Sequence, residues 1–79
     1  MNSCPVCGYD GLTEPPFDED GNPSYEICNC CGYEFGFDEA SFEEHRSKWL
    51  SEGAKWFNPK AQPDGWTPSM QLLKIGVKL

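Results

Sequence analysis

The pattern Cys-x-x-Cys-Gly-Tyr occurs twice in this chain of 79 residues, as Cys4-Pro5-Val6-Cys7-Gly8-Tyr9 and as Cys28-Asn29-Cys30-Cys31-Gly32-Tyr33. We call these stretches the first knuckle and the second knuckle. Two residues between the cysteines allow a tight turn that points both sulfurs at one ion, and the glycine can adopt the left-handed conformation that such a turn requires. Paired motifs at this separation are typical of zinc sites. The sequence therefore predicts one zinc ion per chain, bound by Cys4, Cys7, Cys28 and Cys31.

The length of the chain explains why a metal would matter to its fold. A domain of this size buries only about 60–65% of its unfolded surface and often needs an additional cross-link. With 38% hydrophobic and 24% charged residues, the sequence is typical neither of a membrane-spanning nor of a disordered chain. Four protein ligands leave no open position on the ion, so we expect a structural site and not a catalytic one.

Two other side chains are candidate ligands that the pattern does not need. Cys30 occupies the position that Val6 has in the first knuckle, so we expect it to be a small filler beside the site. The alternative is a spare thiol that exchanges into the site or senses oxidants. We expect His45, the only histidine, to pack within the protein and not to bind the metal. The acidic run at residues 18–20 lacks the spacing of a calcium loop and predicts a solvated loop.

The periodicity of the sequence changes near residue 37. Before it, Tyr25-Glu26-Ile27 and the alternating aromatic residues of 33–37 predict short strands. Between Leu12 and Ser24, Asp20-Gly21 and Asn22-Pro23 predict a turn at the tip of a long hairpin. After it, Ser41 and Glu44 form a capping-box pattern that starts a helix, and Gly53 is expected to end that helix. Thr67 and Pro68 predict the start of a second helix. An aromatic-rich connector with Trp56, Phe57 and Trp66 lies between the two helices.

The predicted fold is therefore a small metal-stabilised domain of the α+β class. A zinc ribbon with two or three short antiparallel strands would occupy residues 1–37. Two helices and the aromatic-rich connector, residues 38–79, would pack on it. We expect residues 1–79 to form a single domain.

Charge is distributed unevenly along the chain, which has a formal net charge of −7. Residues 1–44 contain eleven acidic residues and no Lys or Arg, whereas all six basic residues follow His45. The acidic balance argues against a nucleic-acid partner and against an anionic membrane surface. We expect the basic half to lie against the acidic half, and the alternative is that the basic residues form a separate docking surface.

Motifs for targeting and for catalysis are not found in the sequence. Neither a signal segment nor an apolar run long enough to span a membrane is found, so we expect a cytoplasmic protein whose thiols stay reduced. The sequence contains no phosphate-binding glycine loop and no Gly-x-Ser-x-Gly motif. We therefore expect that the protein is not an enzyme.

The paired knuckles resemble those of zinc ribbons and of the iron site of rubredoxins. The first 35 or so residues more closely resemble small bacterial cysteine-rich proteins of the "CPCC" type, through the first knuckle, Leu12, Tyr25-Glu26-Ile27-Cys28 and Cys31. Segments from Phe42 to Leu72 resemble the C-terminal half of related uncharacterised bacterial proteins. The second knuckle departs from that pattern, because Gly32-Tyr33 stands where an aromatic pair is often found. The resemblance implies a metal and a fold, and no activity.

Two functions from different classes are compatible with these features. In the first, the protein is a protein-interaction module whose acidic face meets a basic protein partner. In the alternative, a rubredoxin-like iron site transfers electrons.

Overall fold

The computed structural model describes residues 2–79, which form two α-helices connected by loops and tight turns. Helix α1 comprises Phe42–Ser51, and helix α2 comprises Pro68–Leu73. A short 3₁₀ helix, Pro59–Ala61, lies between them. Both knuckles precede α1, so the chain places its cysteines in the irregular part of the fold and its helices after them.

Both helices begin where the sequence predicts. The Ser41 side chain accepts a hydrogen bond from the Glu44 amide, and the Glu44 carboxylate accepts one from the Ser41 amide, which is a complete capping box. Gly53 follows α1 with a φ of 100°, the left-handed conformation expected at a helix end. At α2, the Thr67 hydroxyl accepts from the Met70 amide and Pro68 occupies the first turn.

The prediction of an α+β zinc ribbon with antiparallel strands is wrong. Residues 2–79 contain no β-strand and no sheet. Where the hairpin was expected, the backbone forms only isolated antiparallel bridges between single residue pairs: Asn2 with Leu12, Phe17 with Pro23, and Ile27 with Glu34.

Left-handed residues explain why these bridges do not extend into strands. Tyr25, in the first predicted strand, has a φ of 61°, and Gly36, in the second, has a φ of 100°. A strand requires extended backbone at successive residues, so each of these positions ends the pairing after one bridge. In a strand, Phe35 and Phe37 would lie on the same face. Here Phe35 is fully buried, whereas Phe37, beyond Gly36, is 73% exposed.

The core is built around the cysteines. All five cysteines are buried, and the largest fully buried side chains besides them are Phe35, Leu12, Leu72 and Val6. Helix α1 joins this core to two groups of aromatic rings. Near its start, Phe42 packs edge-on against Tyr33, and near its end, Trp49 packs against Trp66.

The aromatic-rich connector is held against this core through its tryptophans. The rings of Trp56 and Trp66 meet at 5.3 Å, and Trp56 also packs edge-on against Tyr9 of the first knuckle at 5.5 Å. The neighbouring Phe57 is 61% exposed. The connector therefore packs on the first knuckle with some of its aromatic residues and presents another to solvent.

Candidate metal centre

The structure brings together the four cysteines that the sequence pattern selects. The sulfur atoms of Cys4, Cys7, Cys28 and Cys31 all lie within 4.8 Å of one another, and all four residues are buried. The two shortest separations run between the knuckles. The Cys4 and Cys31 sulfurs are 3.8 Å apart, and the Cys7 and Cys28 sulfurs are 3.6 Å apart.

These separations match the geometry of four sulfurs around a single ion. In a regular tetrahedron with metal–sulfur bonds near 2.3 Å, neighbouring sulfurs are about 3.8 Å apart. A disulfide would require sulfurs at about 2.05 Å, and all five cysteines are free thiols. The donor set and its spacing therefore fit a thiolate-bound metal, and four close cysteines could hold one ion.

Each knuckle forms its turn with the same pair of backbone hydrogen bonds. In the first, the Gly8 amide donates to the Cys4 carbonyl at 2.9 Å and the Cys4 amide to the Tyr9 carbonyl at 2.7 Å. The equivalent bonds of the second knuckle join Gly32 to Cys28 and Cys28 to Tyr33, both at 3.0 Å. Gly8 and Gly32 have φ values of 86° and 77°, so both turns use the left-handed conformation that favours glycine.

The crowding of the thiols perturbs their ionisation in opposite directions. Hydrogen bonding to Cys28 is the main reason why the pKa values of Cys4, Cys7 and Cys31 are raised, with burial contributing in the same direction. The same contacts, with the one to Cys31 largest, lower the pKa of Cys28. Ionising all four buried thiols without a partner is therefore unfavourable. A bound cation would compensate the charge of four.

Side chains of the helical half bind the carbonyls of the first knuckle. The Arg46 guanidinium donates through Nε to the Val6 carbonyl at 2.6 Å and through Nη2 to the Pro5 carbonyl at 3.0 Å. The Gln71 amide nitrogen donates to the Cys7 carbonyl at 3.0 Å. Helices α1 and α2 thus both reach the peptide groups that surround the first pair of sulfurs.

The equivalent carbonyls of the second knuckle are bound mainly by backbone amides. The Phe57 amide donates to the Cys30 carbonyl at 3.0 Å, and the Asn58 amide donates to the Asn29 carbonyl at 2.8 Å. The third donor is His45, whose Nε2 lies 2.8 Å from the Cys31 carbonyl. A carbonyl oxygen only accepts, so this ring nitrogen carries the proton.

Cys30 and His45 lie next to the four-cysteine cluster. Cys30 is fully buried, and its sulfur accepts a hydrogen bond from the Gln71 amide nitrogen at 3.3 Å. The His45 ring packs edge-on against Tyr33 at 5.0 Å. Within residues 2–79, the group of side chains that could share a metal ion consists of Cys4, Cys7, Cys28 and Cys31, and the roles of Cys30 and His45 stay predictions.

Arg46 and Gln71 are the residues near the site that sequence reasoning missed. Gln71 is a polar residue that is only 6% exposed. Its side-chain oxygen accepts a hydrogen bond from the Trp66 indole at 2.8 Å, and its side-chain nitrogen donates to the Cys7 carbonyl and to the Cys30 sulfur. The one available signal for Arg46 was its place beside His45 at the start of the basic half. No local pattern marked Gln71, because its partners are distant in sequence.

Few ion pairs join the acidic half to the basic half within residues 2–79. In the part of the chain that the structure describes, one ion pair is found, between Lys74 and Asp10 at 3.2 Å, and both side chains are more than half exposed. The Arg46 guanidinium donates to backbone carbonyls and not to a carboxylate. The acidic surface around the knuckles therefore keeps its charge.

None of the helices within residues 2–79 is both long enough and apolar enough to span a membrane.

Comparison with known proteins places the chain among uncharacterised relatives. No protein-family model matches it, and no solved structure matches it either. The uncharacterised protein YozI of Bacillus subtilis (strain 168) is 30% identical in an alignment that covers 81% of this chain and 69% of YozI. The uncharacterised protein YoaQ of the same organism is 31% identical in an alignment that covers 78% of this chain and 68% of YoaQ. The chain therefore belongs to the family of the uncharacterised Bacillus subtilis proteins YozI and YoaQ.

Proposed function

We propose that the protein binds one zinc ion through Cys4, Cys7, Cys28 and Cys31, and that this ion serves the fold. The observation that carries the proposal is the spacing of the four buried sulfurs, all within 4.8 Å of one another. Four thiolates fill a tetrahedral shell, so no position remains for a reacting water or substrate. The site is therefore proposed as structural, and the protein as a non-enzyme.

The contacts around the knuckles explain how one ion would organise the whole chain. Three carbonyls in each knuckle accept hydrogen bonds from residues beyond Ser41. We propose that these contacts form together when both turns are held in place. Metal binding would supply that restraint, because the free energy of binding a structural ion is folding free energy.

The metal content of the purified protein tests this proposal. We expect about one zinc per chain and no visible colour when the protein is produced with both zinc and iron available and purified without a chelator. Iron with a thiolate charge-transfer spectrum would instead support the rubredoxin-like electron-transfer alternative and would contradict a zinc site. A folded chain without bound metal would contradict both.

Neighbouring cysteines in the second knuckle provide a matched pair of variants. Cys31→Ser removes one of the four clustered sulfurs, whereas Cys30→Ser removes the sulfur that contacts Gln71. We expect Cys31→Ser to lose the metal and Cys30→Ser to retain it. The reverse result would show that the ligand assignment is wrong.

We further propose that the folded protein acts by binding a basic protein partner. Support comes from the eleven acidic residues of the first 44 and from the scarcity of internal ion pairs described above. The resemblance to uncharacterised proteins of the "CPCC" type suggests no competing activity. The five free cysteines, which form no disulfide within residues 2–79, support the reducing, cytoplasmic location that we propose. Salt-sensitive co-purification with a cationic protein, lost above about 0.5 M salt, is the expected behaviour.

A further inference from the structure

Several aromatic side chains that lie before or after the second knuckle in the sequence are partly or largely exposed to solvent. Phe17, Tyr25 and Phe37 are 43%, 64% and 73% exposed. Isolated exposed apolar residues are ordinary on protein surfaces, whereas a contiguous group marks an interaction site.

Contacts place Phe17, Pro23, Tyr25 and Gly36 next to one another. Phe17 forms an antiparallel bridge with Pro23. The rings of Pro23 and Tyr25 both lie over Gly36, where a Cβ atom would come within 2.5 Å of Pro23 and 2.8 Å of Tyr25. Phe37 is the next residue in the chain. We call this surface, formed by Phe17, Pro23, Tyr25, Gly36 and Phe37, the aromatic face.

The backbone of Tyr25 is held in a conformation that aromatic residues rarely adopt. Its φ is 61°, and its amide donates to the Phe35 carbonyl at 3.0 Å. A non-glycine residue in the left-handed region costs on the order of 1–3 kcal/mol and persists where the surrounding structure enforces it. Here the strain accompanies a tyrosine ring that remains largely in solvent and not in the core.

Exposed acidic residues are close in sequence to the members of the aromatic face. Glu19 and Asp20 lie in the exposed loop that joins Phe17 to Pro23, and Glu39 follows Phe37 closely and is also exposed. Within the described residues, the single ion pair involves Asp10, so none of these three carboxylates has a basic side chain bound to it. Their field is therefore available to an outside cation.

The charge limits what kind of molecule fits this face. Two copies of the chain would place like charges opposite each other in a symmetric dimer, and nucleic acid would meet the same repulsion. A cationic partner that also carries apolar side chains complements both features at once.

We propose that the aromatic face is a docking surface for a basic, amphipathic protein segment, in which apolar side chains contact Phe17, Tyr25 and Phe37 while Lys or Arg residues meet the exposed carboxylates that are close to them in sequence. The proposal rests on the interaction role proposed above. It does not depend on which metal occupies the centre, since no residue of the face is a cysteine.

A synthetic amphipathic helical peptide of Lys and Leu is the probe, with a peptide of equal charge in which Ser replaces Leu as its control. Binding to the metal-loaded full chain is measured by calorimetry and located by chemical-shift changes in the protein amides. Metal content and far-UV circular dichroism establish first that every variant is folded, which separates a failure of the docking surface from a failure of the metal centre.

Two pairs of variants separate the face from general effects. Tyr25→Asn with Phe37→Ser removes two rings, and asparagine tolerates the left-handed backbone. Met70→Ser with Leu73→Ser is its control, because both residues are exposed on α2. Glu19→Lys with Asp20→Lys reverses charge beside the face, and Glu52→Lys with Asp64→Lys makes the same change in net charge elsewhere.

We expect shifts confined to about residues 16–39 and an affinity at least about tenfold weaker in both face variants, with controls within about twofold of the original. Equal losses in the controls, equal binding of the Ser peptide, or no binding at all would overturn the proposal. Self-association of the protein that Tyr25→Asn with Phe37→Ser abolishes would overturn it in favour of a second copy as the occupant.

Discussion

The two knuckles share a sequence pattern and a local structure, yet the rest of the chain binds them differently. Both close with the same two backbone hydrogen bonds and the same left-handed glycine. The three carbonyls of the first knuckle accept from the side chains of Arg46 and Gln71. Those of the second accept from the backbone amides of Phe57 and Asn58 and from the His45 ring.

This difference separates what a metal-binding turn needs from what a particular protein adds to it. The turn needs its cysteines and its glycine, and these are repeated. The groups that bind its carbonyls only have to be donors at the right place, so a long side chain and a backbone amide serve equally well. The following experiments test each half of this statement, in order of decreasing expected effect.

The largest effect should come from the feature that the knuckles share. Replacing Cys4, Cys7, Cys28 or Cys31 with Ser removes one member of the sulfur cluster, and we expect loss of the metal and of cooperative thermal unfolding. A structural zinc ion contributes about 10–16 kcal/mol to folding, which equals or exceeds the total stability of about 5–15 kcal/mol that most domains have. Metal analysis and circular dichroism would check this. A cysteine variant that melts cooperatively without metal would contradict it.

Acid should release the metal, because protons compete with it for the thiolates. An unfolded metal-free chain has four protonated thiols of ordinary pKa. In a metal-free chain that stays folded, hydrogen bonding to Cys28 and burial raise the pKa values of the other three thiols above the ordinary 9.0. Metal must displace those protons, so its apparent affinity falls as pH falls below about 9, by about tenfold per pH unit for each proton displaced.

The number of protons released on binding distinguishes two forms of the metal-free chain. We expect about four, measured by calorimetry in buffers of different ionisation enthalpy, because an unfolded chain has four ordinary protonated thiols. A count of about three would indicate that the cluster stays folded without metal and that Cys28, whose pKa is lowered there, is already ionised.

The glycines offer the next comparison, because they match in sequence but not in surroundings. A Cβ on Gly8 would lie 2.5 Å from the Gln71 backbone oxygen, whereas one on Gly32 would lie 3.1 Å from a side-chain atom of Phe57, which is exposed and can move. Both substitutions force alanine into the left-handed region, at about 1–3 kcal/mol. We therefore expect Gly8→Ala to cost about 3–5 kcal/mol and Gly32→Ala about 1–2 kcal/mol in denaturant unfolding of the metal-bound protein. Equal costs would show that the close contact at Gly8 is relieved by relaxation.

The smallest difference in stability is expected between variants of Gln71 and His45, which donate to the last carbonyl of the first and of the second knuckle. Gln71→Ala leaves the Cys7 carbonyl and the Trp66 indole without the partners they have now, and we expect a loss of about 2–3 kcal/mol. His45→Ala, at a half-buried position where water can replace the ring, should cost about 1 kcal/mol. Chemical denaturation of the metal-bound variants measures both. A larger cost at His45 would reverse the comparison.

The sequence by itself determined the features that depend on neighbouring residues. Four features could be predicted because each follows from a spacing rule within a few residues. They are the clustered cysteines, the capping box at Ser41, the helix end at Gly53 and the start of α2 at Thr67. The two knuckles could be paired from sequence because they repeat one pattern. Zinc as the ion and the single-domain organisation stay predictions.

Only the tertiary structure decided how the remaining backbone is arranged. The alternating aromatic residues predicted strands, but the left-handed conformations of Tyr25 and Gly36 end the pairing after single bridges. The roles of Arg46 and Gln71 depend on knuckle carbonyls some 40 to 64 positions away in sequence. Every residue has a backbone carbonyl, so a hydrogen bond to a carbonyl depends on where the donor lies and not on the type of the accepting residue. Such a bond therefore leaves no pattern in the sequence. That is the physical reason why the clustering of the four cysteines was predictable and the contacts that hold them in the fold were not.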